Sequence, residues 1–125
     1  MTSNILDAAR NGEDESVRAL LDSGVDPETT NLHGWTALHK AALKGHIAIV
    51  KLLIEYGATN LNLKTSDGTT PLMCASWKNK VEVLRYLLVK KCDFTLRNNK
   101  GKTARDIGLA KNHKECVRIL DSYMQ

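Results

Sequence analysis

The stretch Gly34-Trp35-Thr36-Ala37-Leu38-His39-Lys40-Ala41-Ala42-Leu43-Lys44-Gly45-His46, continued by Ile47-Ala48-Ile49-Val50-Lys51-Leu52-Leu53-Ile54-Glu55-Tyr56-Gly57-Ala58, decides how the rest of the chain is read. It predicts a turn, a short helix, a second turn centred on Gly45, a longer helix and a stop at Gly57. Glycine at these points can take the positive φ that ends a helix. Neither helix is long enough to hold in water alone, so each must bury its apolar face on a neighbour.

Neighbours of the same design are found in both directions. The turn between helices falls at Gly12, Gly45, Asn79 and Asn112, with spacings of 33, 34 and 33 residues. The glycine of the preceding loop falls at Gly34, Gly68 and Gly101, spaced 34 and 33. Within this period, Thr36-Ala37-Leu38-His39-Lys40-Ala41 and Thr70-Pro71-Leu72-Met73-Cys74-Ala75 occupy matching places. The pattern resembles the ankyrin repeat, whose helix-opening motif is Thr-Pro-Leu-His-x-Ala. The resemblance covers nearly the whole chain. It implies an all-α solenoid of four helix-turn-helix repeats with β-hairpin-like loops, forming one domain over residues 1–125. The repeats are placed at about 1–30 as N-terminal cap, 31–64, 65–97, and 98–125 as C-terminal cap.

Repeat one is expected to open with Ser3 capping a helix through Asn4–Arg10, with Asp7 favouring the helix dipole. Its second helix starts at Asp14-Glu15-Ser16. In repeat two the resemblance gives Thr36 and His39 structural roles, tying the helix start and adjacent loops, and gives His46 a capping role on the following helix. One extra residue lies between Gly57 and Gly68, and Asn60 is read as the bulged insertion with Leu61 inside. In repeat three Pro71 suits the first helical position, Met73 removes one hydrogen-bonding histidine, and Lys91 stands where glycine is favoured. In repeat four Arg105 replaces a normally buried leucine and Gly108 sits inside a helix, costing about 1 kcal/mol relative to alanine. The last residue falls five positions after Leu120, at a repeat boundary, which suits either a whole chain or the start of a longer one.

Composition narrows the function classes. The 125 residues carry a net charge of +4, but residues 1–34 hold two basic and seven acidic side chains, and the remainder sixteen and seven. This asymmetry suits either two solvated surfaces or a basic half that attracts an acidic partner. There is no apolar run of transmembrane length and no signal-peptide character at the start, so no membrane insertion is expected. Three cysteines without close pairing point to a reducing compartment, cytoplasmic or nuclear. On the repeat pattern Cys74, Cys92 and Cys116 take buried positions. No H-E-x-x-H, C-x-x-C or phosphate-binding glycine loop occurs, so neither an enzyme, a cofactor nor a metal is expected.

Function is therefore sought among residues the core does not require. By the resemblance, these are the loop tips (Thr30 to His33, Lys64 to Asp67, Arg97 to Lys100, followed by Trp35, Thr69 and Lys102) and the exposed ends of the first helices. The helix-end pairs are Arg10-Asn11, Leu43-Lys44, Trp77-Lys78 and Ala110-Lys111. Both tryptophans fall on such positions, with Leu32, His33, Lys40, Lys64, Asp67, Arg97, Lys100, Lys102 and Lys111 around them. An indole there serves either as a binding anchor or as a plate covering its own repeat or a lysine stem. The leading expectation is a monomeric protein-interaction module taking an acidic partner with apolar anchors. Nucleic-acid binding through the basic strip ranks below it, since no nucleic-acid motif accompanies the charge. A spacer or targeting domain of a larger enzyme is the third reading.

Overall fold

The computed structural model describes residues 4–58 and 60–125. Four helix pairs follow one another: α1 (Ile5–Arg10) with α2 (Asp14–Asp22), α3 (Ala37–Lys44) with α4 (Ile47–Glu55), α5 (Pro71–Trp77) with α6 (Val81–Val89), and α7 (Ala104–Ala110) with α8 (Lys114–Tyr123). No strand occurs among the described residues. The loops between pairs are nonetheless hairpin-like, each closed by a main-chain bond: Asn31 to Trp35, Thr65 to Thr69, and Asn98 to Lys102.

Short helices are set by their ends. Thr36, Thr70 and Thr103 cap α3, α5 and α7, each accepting the amide three residues on. Pro71 takes the first turn of α5, as expected. At the first helix the cap is Asn4, whose side chain accepts the Asp7 amide; Ser3, expected in this role, lies outside the described residues. The turn inside each pair repeats one bond, Glu13 to Ala8, His46 to Ala41, Lys80 to Ala75 and His113 to Gly108. The left-handed residue before each donor is Gly12, Gly45, Asn79 or Asn112. Asparagine tolerates this conformation better than other side chains do. Lys91 (φ 66°) has no such excuse and carries the strain expected of it.

The first helices pack on one another along their length, whereas the second helices touch at fewer points. The reason is side-chain size. Ala8, Ala9, Ala41, Ala42, Ala75, Ser76, Ala104 and Gly108 line the inner layer, all buried. The outer layer interposes Val17, Leu21, Ile49, Val50, Leu53, Val83, Leu84 and Leu87. Close approach on one side and wider spacing on the other bend the stack toward the first helices, making that side concave.

Three expectations are corrected. His46 makes no capping bond to α4; its Nε2 instead donates to the Arg10 carbonyl of the previous repeat, at 3.0 Å. Asn60 is not the inserted residue. Its side chain accepts the Asn62 amide, as Asp26 accepts from Glu28 and Asp93 from Thr95, so the extra residue precedes it. Leu61 is buried as foreseen. Gly108 is not simply a weak helix residue: a β-carbon there would lie 2.9 Å from Ser76 Oγ and 3.1 Å from Val117 Cγ2. Ser76 holds the place of Ala42 and donates to the Ala104 carbonyl at 2.7 Å, so serine and glycine are fitted to each other. Arg105 is half-buried and paired with Asp121, giving the last repeat a polar side.

Candidate functional site

The loop tips on the concave side are joined by the main chain. Ser66 donates to the His33 carbonyl and Asn99 to the Asp67 carbonyl, both at 2.9 Å. Within each tip one side chain, Asn31, Thr65 or Asn98, accepts the amides two and four residues on. Behind this row, His39 bonds in two directions. Nδ1 accepts the Thr36 amide at 3.2 Å, and Nε2 lies 2.9 Å from the Leu63 carbonyl and 3.1 Å from that of Thr69. The Nδ1 acceptor role fixes the proton on Nε2. Burial holds the imidazole below its ordinary pKa, with the Leu63 and Thr69 carbonyls pulling it back up. Met73 makes no equivalent link, and only its amide bonds to Thr70.

The expected contact residues separate into engaged and free ones. Lys64 Nζ donates to the Arg97 carbonyl at 3.0 Å. Arg97 in turn donates to the Gly101 carbonyl and lies 3.8 Å from Asp106. These two serve the loops. Trp35 is half-buried against the core, edge-on to His39 at 5.5 Å, with Lys40 Nζ 4.6 Å from the indole centre. It is the covering plate. Trp77 is 40% exposed at the end of α5, with Lys78 Nζ 4.7 Å from its ring. Leu43, in the matching place on α3, is half-buried. Leu32 is fully exposed at its tip. His33, Lys44, Asp67, Lys100, Lys102 and Lys111 are exposed and Thr69 is half-buried.

The stack's remaining polar chemistry is closed off. Burial pushes the thiols of Cys74 and Cys92 up to about 12, and that of Cys116 upward. They are protonated and shielded at neutral pH. Among the described residues no group of three His, Cys, Asp or Glu side chains converges on a point, and no helix is long and apolar enough to cross a membrane. One cluster escaped the sequence reading. Tyr86 on α6 lies under Lys51 at 5.4 Å and Lys90 at 5.5 Å. Lys51 and Tyr86 are 35 residues apart, off the repeat period, so no periodic signal marks them.

Comparison with known proteins agrees with this geometry. Residues 5–98 match the family model described as ankyrin repeats (3 copies). An ankyrin repeat-containing protein of Schizosaccharomyces pombe is 35% identical over 107 residues, covering 85% of this chain and 50% of that protein. Protein phosphatase 1 regulatory subunit 12A of Mus musculus is 38% identical over 107 residues, covering 82% of this chain and 10% of that protein. The mouse ankyrin repeat and SAM domain-containing protein 6 is 35% identical over 124 residues, covering 95% and 14%. The chain thus spans half the length of the first relative and a small part of the other two.

Proposed function

Because the chain belongs to the ankyrin-repeat family, we propose that it is a non-catalytic adaptor or regulator that holds another protein on its concave face. Ankyrin repeats generally mediate protein–protein interaction, and one relative is by name a regulatory subunit. The observation that carries the reading is Trp77. It leaves 40% of its surface exposed beside Lys78, in register with Leu43, at a place where no core packing asks for an indole. A large flat side chain of this kind is desolvated at little entropic cost, which is why tryptophan recurs at binding hot spots. The exposed cations Lys44, Lys100, Lys102 and Lys111 favour an acidic partner. The protein would act as a monomer, working in the cytoplasm or nucleus.

The test is capture of a partner by the wild type and by Trp77→Ala. The substitution should weaken binding by about 2 kcal/mol or more and leave the thermal midpoint unchanged. Equal loss of binding and stability would assign Trp77 to the scaffold. Binding should also depend only weakly on salt. A steep log–log salt dependence with single-stranded nucleic acid would reassign the basic strip to phosphates.

A further inference from the structure

Three of the exposed lysines form a ladder. Lys44 ends α3, Lys78 caps α5 and Lys111 caps α7, so they occupy the same place in successive repeats, 34 and 33 residues apart. In the first repeat this place belongs to Asn11, and the neighbouring Arg10 is paired with Asp7 at 3.7 Å. The cationic ladder therefore has three rungs and begins at repeat two. Complementing the helix dipole would explain a lysine at any helix end. Yet among the second helices only α6 ends on a lysine, Lys90, while α2, α4 and α8 end on Ser23, Tyr56 and Met124. The row that recurs in three successive repeats is on the first-helix layer, where Leu43 and Trp77 immediately precede two of the rungs.

The rung spacing follows from the helix packing. Packed helices lie about 8–10 Å apart, and small contact residues favour the closer end. Here the contacts between first helices are made by alanine, serine and glycine. A ligand that meets all three ammonium groups must present carboxylates at that interval on one side. A polyproline II segment does so at every third residue, since it has three residues per turn and rises about 9 Å per turn. A flat strand puts residues three apart on opposite faces. An α-helix offers the same face every seventh residue at about 10.5 Å, wider than the ladder.

Resting on the interaction reading above, we propose that the concave face recognises an acidic peptide in polyproline II conformation. Its carboxylates recur at every third position against Lys44, Lys78 and Lys111, and an apolar residue between them packs on Leu43 or the open face of Trp77. The indole under Lys78 anchors the peptide's apolar side chain while the ammonium above it takes the carboxylate, so both contacts form at one rung.

The experiment uses the full chain and fluorescent peptides of identical composition, read by anisotropy. One carries three glutamates at every third position around leucine and phenylalanine, one at every second, and one clusters them at an end. A longer helical peptide with glutamate at every seventh position is the fourth probe. The every-third peptide should bind at least about tenfold tighter than the others, the step worth one well-placed contact. Lys111→Gln should weaken it several-fold, yet leave unchanged a peptide truncated before its third glutamate. Equal affinities for the first three peptides, with all of them sensitive to Trp77→Ala, would overturn the spacing while leaving the concave site intact. Tighter binding of the every-seventh peptide would overturn the proposed conformation. No binding by any of the four would overturn the acidic ligand altogether, whatever the capture experiment gives.

Discussion

Repeats two and four start their first helices in the same way and tie them to the stack in different ways. In both, a threonine side chain accepts the amide three residues on, and that residue's side chain returns a bond to the threonine amide. The returning group is His39 in one and Asp106 in the other. His39 is fully buried, and its second nitrogen reaches the carbonyls of Leu63 and Thr69 in the loop that leads into the next repeat. Asp106 is half-buried, and the charged neighbour it meets is Arg97 at 3.8 Å. Repeat three lies between them, with Thr70 capping α5 but Met73 reaching nowhere. Starting a helix and coupling a repeat to its neighbour are thus separable jobs. Only the histidine does both.

Removing that difference is the most severe way to break the comparison. His39→Ala strips partners from the buried Thr36 amide and from two carbonyls and leaves a void. It should cost about 3 kcal/mol or more in urea unfolding. Asp106→Ala removes one helix cap and should cost about 1 kcal/mol. Equal losses would mean that His39 does no more than cap. The same residue sets a pH response. Its folded pKa lies below the ordinary 6.5, so the unfolded chain takes up a proton that the folded chain refuses. Stability is complete above 6.5 and falls as the pH drops through that value toward the folded pKa. His39→Gln, a neutral variant, should flatten the thermal midpoint in that window.

A smaller effect sharpens the comparison inside the core. Gly108→Ala gains about 1 kcal/mol of helix propensity and should still destabilise repeat four, because the new carbon meets Ser76 Oγ at 2.9 Å. In a Ser76→Ala background the same change should become neutral or stabilising, with a coupling of about 1 kcal/mol. Amide exchange from Thr103 to Leu120 reads it directly, since those amides open with the end repeat. No coupling would mean that the close approach of α5 and α7 does not depend on the serine. The mildest change is at Lys91. Glycine there relieves a left-handed backbone (φ 66°) but loosens the unfolded chain, for a net gain of about 0.5–1 kcal/mol at the junction before repeat four. A loss would show that the lysine makes a compensating contact.

What the sequence made legible was whatever one repeat decides for itself. Gly45, Thr36, Pro71 and the buried cysteines act within a turn or a helix, and the 33-residue period repeats the glycine at Gly12 and the threonine at Thr70 and Thr103. What stayed hidden lies between repeats. His46 was assigned to the helix it precedes, while its bond goes back to Arg10. Lys64 and Arg97 look like free cations in a sequence, yet each finds a carbonyl. Ser76 and Gly108 each look like a departure from the pattern and explain each other only when α5 is laid on α7. Trp35 and Trp77 fell in one class by position. Packing parts them: each lies under a lysine, but Trp35 is half-buried edge-on to His39 while Trp77 keeps 40% of its surface exposed.

The bonds between loop tips carry a consequence for how such a surface changes over generations. Ser66 to His33 and Asn99 to Asp67 run from amide to carbonyl, so the tips are held by groups that every amino acid except proline brings. Two side chains add to them, Asn99 Nδ2 donating to the Ser66 carbonyl and Lys64 Nζ to that of Arg97, but other tip residues carry no such bond. Leu32, wholly exposed, can be exchanged for a charge or an aromatic ring without moving the tip that presents it. At such positions mutation can therefore rewrite partner choice one letter at a time, on a frame that does not register the edit.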